Sequence, residues 1–130
     1  MSSEAPQPKI LLVDDEPNWL NLMEKKLKPL GTTTHRAQNG LEALRLLRKQ
    51  SFDLVITDTD MPYMDGLSLL SWIRSRAVQV PVIVFFSGLI GGDLTPEELE
   101  RVGASGVLEK KHARTRLVPL VKKILFSGRA

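Results

Sequence analysis

Six side chains in this sequence are of the types that handle a hard cation or a phosphoryl group: Asp14, Asp15, Asp58, Asp60, Ser87 and Lys110. Each closes or follows a short apolar run. Ile10–Val13 leads into Asp14-Asp15-Glu16, and Leu54–Thr57 leads into Asp58-Thr59-Asp60-Met61-Pro62. Val82–Phe86 is followed by Ser87-Gly88, and Val107–Leu108 by Lys110-Lys111. If these runs are strands of one sheet, their ends bring carboxylates, a hydroxyl and an amine to one rim. Converging carboxylates repel one another and raise each other's pKa unless a cation neutralises them. Oxygen-only donors suit a hard ion, and few carboxylates with several waters suit Mg²⁺. A carboxylate beside such an ion, a lysine and a hydroxyl attracts a phosphoryl group, because metal and ammonium offset charge on the equatorial oxygens. Asp58 is the candidate nucleophile, forming an aspartyl phosphate.

Each piece alone has a plain explanation. Acids before Pro17 suit an ordinary helix start. Met61-Pro62-Tyr63-Met64-Asp65-Gly66 reads as a turn, with Pro62 and Gly66 shaping its backbone. Ser87-Gly88 carries no signal by itself, and a single lysine is usually a surface residue. What distinguishes the set is its occurrence, in order, at successive strand ends.

The elements that must position these groups follow from the pattern of apolar residues. The four runs lack polar alternation, as strands covered on both faces do. Thr32–Ala37 is more polar and reads as a fifth, edge strand. Between the runs lie helical stripes. Pro17 suits a first helical turn, with Leu20, Met23, Leu27 and Leu30 on one face before Gly31 stops the helix. Leu41, Ala43, Leu44 and Leu47 mark a second helix, and Leu67, Leu70 and Ile73 a third. Thr95-Pro96-Glu97-Glu98 is a capped start for a fourth. Leu117, Leu120, Val121, Ile124 and Leu125 mark a fifth, with Pro119 implying a late start or a distorted first turn. The β-α order, repeated five times, implies an α/β fold: a doubly wound five-stranded parallel sheet with five helices on its two faces. In such sheets ligands bind beyond the carboxyl ends of the strands.

Bulk properties narrow the class. The chain has 130 residues, 42% apolar and 25% charged, which is ordinary for one globular domain. No apolar run approaches the ~20 residues needed to cross a bilayer, and the polar start from Met1 to Pro8 is not a secretory signal. Without cysteine there is no disulfide framework and no thiolate metal site, which fits a reducing cytoplasm. The net charge of +3 owes much to a late basic group: Lys110, Lys111, Arg114, Arg116, Lys122, Lys123 and Arg129. A solvated helix face accounts for these better than nucleic acid, since interleaved aromatic residues are absent.

From about Lys9 to Phe126 the chain resembles the receiver domains of bacterial response regulators. The resemblance rests on Ile10-Leu11-Leu12-Val13-Asp14-Asp15-Glu16-Pro17, on Asp53-Leu54-Val55-Ile56-Thr57-Asp58 with Met61-Pro62 and Met64-Asp65-Gly66, and on Pro81-Val82-Ile83-Val84-Phe85-Phe86-Ser87-Gly88. Gly103-Ala104-Ser105-Gly106 and Lys110 complete it. Separations of 43, 29 and 23 residues, from Asp15 to Asp58, Ser87 and Lys110 in turn, also suit the family.

The resemblance implies a flavodoxin-like fold with strand order 2-1-3-4-5, spanning residues 9–127. A disordered N-terminal tail would occupy 1–8 and a C-terminal tail 128–130. It implies that Asp58 accepts a phosphoryl group from a sensor histidine kinase or phosphotransfer protein, without enzymatic turnover of any other substrate. Asp14, Asp15, Asp58 and the main-chain carbonyl of Asp60 would hold Mg²⁺, while Ser87 and Lys110 contact the phosphoryl group. Phosphorylation would alter the surface around strand five and the last two helices, presented to a downstream output protein or domain. A cytoplasmic location, no direct nucleic-acid binding and no membrane contact are expected, with a phosphorylation-dependent homodimer left open.

Three positions depart from the family pattern. Val107 stands where a switch aromatic is usual, Lys111 replaces the proline that commonly follows the lysine and brings a cis peptide, and Asp60 adds an acid at the rim. Two other readings compete. Asp58-Thr59-Asp60 is similar to the nucleophile and acid/base pair of haloacid-dehalogenase-like phosphohydrolases, although that family carries the motif on its first strand. A degenerate receiver acting only as a binding module is the second. The sequence leaves open whether the chain acts alone or belongs to a longer protein.

Overall fold

The computed structural model describes residues 7–59, 64–76, 79–86 and 95–126. The elements alternate: β1 (Lys9–Val13), α1 (Pro17–Leu27), β2 (Thr33–Ala37), α2 (Gly40–Lys49), β3 (Leu54–Asp58), α3 (Gly66–Ser75), β4 (Val82–Phe86), α4 (Pro96–Val102), β5 (Gly106–Glu109) and α5 (Ala113–Leu125). The strands form one parallel sheet in the order β2-β1-β3-β4-β5. This is the expected doubly wound arrangement, with β1 and β3 adjacent where the chain reverses its direction of winding.

Two cores, one on each face, explain why the central strands read as apolar runs while the edge strand β2 is more polar. Leu11, Val13, Val55, Val82 and Val84 pack on one face with Ala43 of α2, Leu69, Leu70 and Ile73 of α3, and Leu99 of α4. Ile10, Leu12, Leu54, Ile56, Ile83 and Phe85 face the other way, against Leu20, Met23 and Leu27 of α1 and Leu117 and Val121 of α5. Each fully buried aliphatic side chain contributes about 1.5–3 kcal/mol of transfer free energy. A register slip in any central strand would exchange the two sets.

The helix starts follow local chemistry. The side chains of Asn39, Asp65 and Thr95 accept from the amides of Glu42, Ser68 and Glu98 and cap α2, α3 and α4. Pro17 and Pro96 occupy first-turn positions.

Several expectations are corrected. Helix α1 ends at Leu27, and Leu30 lies in a 3₁₀ turn over Lys28–Leu30. Pro29 cannot donate an α-helical hydrogen bond, so the winding tightens there before Gly31 adopts φ 75°. Leu41 is 46% exposed; the inward stripe of α2 is Gly40, Ala43, Leu44 and Leu47, and Leu41 lies beside it. Strand β2 begins at Thr33, β3 reaches Asp58, and β5 runs from Gly106 to Glu109 rather than over two residues. Pro119 is interior to α5, which begins at Ala113. It leaves the carbonyl of Thr115 without an amide donor, but both residues are exposed, where water can serve. The N-terminal tail falls mostly on residues 1–6, outside the described residues. Pro8 accepts a hydrogen bond from the Thr33 amide at 2.8 Å. Among the described residues no helix is long and apolar enough to cross a membrane.

Candidate functional site

At the carboxyl edge of the sheet, β1 hands the chain to Asp14, β3 ends on Asp58, and β5 is followed at once by Lys110. Register locks these positions: Val13 pairs with Thr57, and Asp58 pairs with Phe85. The Asp14 amide donates to the Ala37 carbonyl at 3.0 Å, and the Thr59 amide to the Phe85 carbonyl at 3.0 Å. Both acids are thus tied to neighbouring strands through their own or the next residue's backbone. Gly66, the first residue of α3, lies against the Asp58 backbone: a Cβ there would fall 2.0 Å from the Asp58 carbonyl oxygen. The glycine is therefore required by close approach rather than by a turn conformation.

Asp14, Asp15 and Asp58 each offer a carboxylate oxygen, all within 4.8 Å of one another. Asp14 and Asp58 are buried, at 1% and 6% exposure, while Asp15 is exposed. Oxygen donors alone, two of them fixed in the sheet edge and one open to water, fit a hard divalent cation that retains part of its hydration shell. The cluster could hold a metal ion.

Lys110 closes the site. Its Nζ donates to Asp58 Oδ2 at 3.0 Å and to Asp14 Oδ2 at 3.1 Å, with Glu16 Oε1 at 3.8 Å. Strand β5 lies two strand spacings from β3, about 10 Å, a gap that the four-carbon lysine stem and its ammonium can bridge. The other Asp14 oxygen accepts from the Glu16 amide at 2.9 Å, fixing the carboxyl plane.

The electrostatics follow from three acidic side chains, Asp14, Asp58 and Glu16, facing one ammonium. Burial pushes the Asp14 carboxyl up from 3.8 to about 6, and Asp58 pushes the same way. The Glu16 amide and Lys110 pull it down and only partly offset this. For Lys110, burial acts to lower the pKa, but hydrogen bonding and attraction from Asp58 and Asp14 outweigh it and the net direction is upward. The ammonium is thus held charged.

Of the six candidate residues, the structure brings Asp14, Asp15, Asp58 and Lys110 together. Asp60 and Ser87 lie outside the described residues. Val107, at the position usual for a switch aromatic, is half-buried and packs against the core shared with α3 and α4. Lys111 lies in a 3₁₀ turn over Lys110–His112, and no peptide among the described residues is cis.

One member of the site escaped sequence reasoning. Trp19, in the first turn of α1, places its ring 4.8 Å from Lys110 Nζ and meets Phe85 edge-on at 5.3 Å. The only available signal was its place next to Leu20, beside the buried stripe and close to the acidic pair.

Known proteins share this fold. The family model described as response regulator receiver domain matches residues 10–122. The Regulator of RpoS from Escherichia coli strain K12 is 40% identical over 101 residues, covering 78% of this chain and 29% of that protein. The chain therefore spans under a third of that relative's length. Among solved structures, the receiver domain of the Francisella response regulator 1452 superposes with a TM-score of 0.85 at 28% identity, over 95% of this chain and all of that one. The response regulator TrrA from Thermotoga maritima, solved in complex with Mg(2+)-BeF, gives 0.79 at 32% identity, over 92% of this chain and all of that one. With the match running through both strand-end acids and the lysine, the chain belongs to the response regulator receiver domain family of two-component signalling proteins.

Proposed function

We propose that Asp58 is the phosphoacceptor of this receiver and that Asp14, Asp15 and Asp58 bind the Mg²⁺ needed for the transfer. The observation that carries this reading is the convergence of three carboxylates and Lys110 at the edge of adjoining strands. That TrrA was solved with Mg(2+)-BeF supports the choice of cation and of a phosphoryl-like ligand.

An Asp58 carboxylate oxygen attacks phosphorus in line, forming an acyl phosphate as the bond from phosphorus to the donor's histidine nitrogen breaks. Lys110, already 3.0 Å from Asp58, pairs with the incoming phosphoryl oxygens with little rearrangement. When bound, Mg²⁺ supplies further positive charge for those oxygens. Burial of Asp14 and Asp58 in the sheet edge limits the motion of both. The main-chain carbonyl of Asp60 and the hydroxyl of Ser87 complete the set on the family pattern, as cation ligand and phosphoryl contact. Asp60 is further assigned a tuning role, acting by repulsion and by contact with attacking water.

The donor in this reading is a sensor histidine kinase or phosphotransfer protein in the cytoplasm, and the receiver turns over no other substrate. The altered surface passes the signal to an output protein or domain. Incubation with acetyl phosphate and Mg²⁺, followed by intact mass measurement, tests the assignment. One phosphoryl mass should appear in the wild type and be absent from Asp58→Asn; an adduct that survives that substitution overturns it.

A further inference from the structure

Lys110 is the only basic side chain paired with the site's carboxylates among the described residues, and two acids share it. An ammonium on a flexible four-carbon stem needs something besides its targets to hold it in one place. The two carboxylates draw it toward the sheet edge, and the exposed Glu16, at 3.8 Å, offers an alternative partner in solvent. Trp19 supplies a fixed constraint on the helix side. Its ring centre lies 4.8 Å from Nζ, within cation–π range. The ring is held edge-on against Phe85, which is fully buried in β4, with a 90° interplanar angle. It also packs against the core shared by α1 and α5.

Placement of the tryptophan follows from the chain. Pro17 opens α1, so residue 19 falls in its first turn, level with the carboxyl edge of the sheet. Leu20, one residue later, is buried in the core and anchors the turn from below. The indole thus bridges two elements that meet at the site: β4 through Phe85 and the β5–α5 junction through Lys110. An aliphatic residue would fill much of the same space without attracting the ammonium, because only the aromatic face carries the negative quadrupole.

We propose that Trp19 is a positioning residue for Lys110: its indole face holds the ammonium beside Asp58, so that phosphoryl oxygens arriving there meet a charge already in place. The proposal rests on the phosphoacceptor reading above. It also assigns an aromatic side chain of this receiver to its active site on the α1 side, opposite the face where Val107 packs.

The test is a double-mutant cycle on the rate of phosphorylation by acetyl phosphate with Mg²⁺, followed by intact mass. Trp19→Leu in the Lys110 chain is expected to slow the rate roughly three- to tenfold, the range that a partly exposed cation–π contact supports. Trp19→Phe, which keeps an aromatic face, should fall between Leu and wild type and guards against loss of folding in the leucine variant. In a Lys110→Met background the same Trp19 substitutions should change the rate less than about twofold, since the residue acts through the lysine. An undiminished effect in that background makes Trp19 merely structural and overturns the proposal, as does an unchanged rate in Trp19→Leu. Phosphorylation of wild type together with either result leaves the phosphoacceptor reading standing. No phosphoryl mass on wild type removes both.

Discussion

In the proposed cation site, protons and Mg²⁺ compete for Asp14. With a folded pKa of about 6, Asp14 must lose its proton before it can act as an anionic ligand, so cation affinity should follow its ionised fraction. That fraction is about 0.9 at pH 7 and about 0.1 at pH 5, so Mg²⁺ affinity should fall about tenfold between them. Isothermal titration calorimetry at the two pH values measures this directly. Repeating the titration near pH 6 in buffers of different ionisation enthalpy should reveal about half a proton released per ion bound. In Asp14→Asn the affinity should be lower at pH 7 but nearly flat between pH 5 and pH 7. An equal affinity of the wild type at both pH values, or the same tenfold decline in the asparagine variant, would show that the Asp14 proton does not control cation binding.

The same carboxyl sets the sign of a stability effect. Because folding raises its pKa, the unfolded chain ionises first as pH rises. The stability it contributes is therefore full below about 3.8 and lost as pH climbs to about 6. Metal-free Asp14→Asn should accordingly exceed the wild type in stability at pH 7 by about 1–3 kcal/mol, with the gain vanishing near pH 4, as urea denaturation at each pH will show. Lys110→Met removes a group that holds the Asp14 pKa down, so an NMR titration of the Asp14 carboxyl should find it above its wild-type value. Gly66→Ala forces a Cβ into the Asp58 carbonyl and should cost about 2–4 kcal/mol while slowing phosphorylation; denaturant melts and intact mass read the two effects. Asn39→Ala, which loses the α2 cap, should cost about 1 kcal/mol in the same denaturant melts.

Much of the fold was legible because the doubly wound sheet imposes its own signature. Strands buried on both faces read as unbroken apolar runs, and Asp14, Asp58 and Lys110 stand at run ends where no core packing requires a charge. What the sequence concealed depends on tertiary context. Leu41 has the type of a core residue but lies beside the inward stripe of α2. Pro119 suggests a helix boundary, yet α5 carries it through on an exposed face, where water can serve the carbonyl it orphans. Trp19 has the appearance of one more core aromatic; only the crossing of α1 over the β5–α5 junction places it against Lys110. Such a contact between residues 91 positions apart leaves no local pattern.

In the proposed function the phosphoryl group resides on Asp58 and on no other side chain. Borohydride reduction converts an aspartyl phosphate to homoserine, so treating the phosphorylated protein with borohydride and mapping its peptides by tandem mass spectrometry locates the acceptor. Homoserine at position 58 alone, dependent on Mg²⁺ during phosphorylation, is the predicted result. Homoserine at position 14, 15 or 60, or phosphate retained on a serine or threonine, would contradict it.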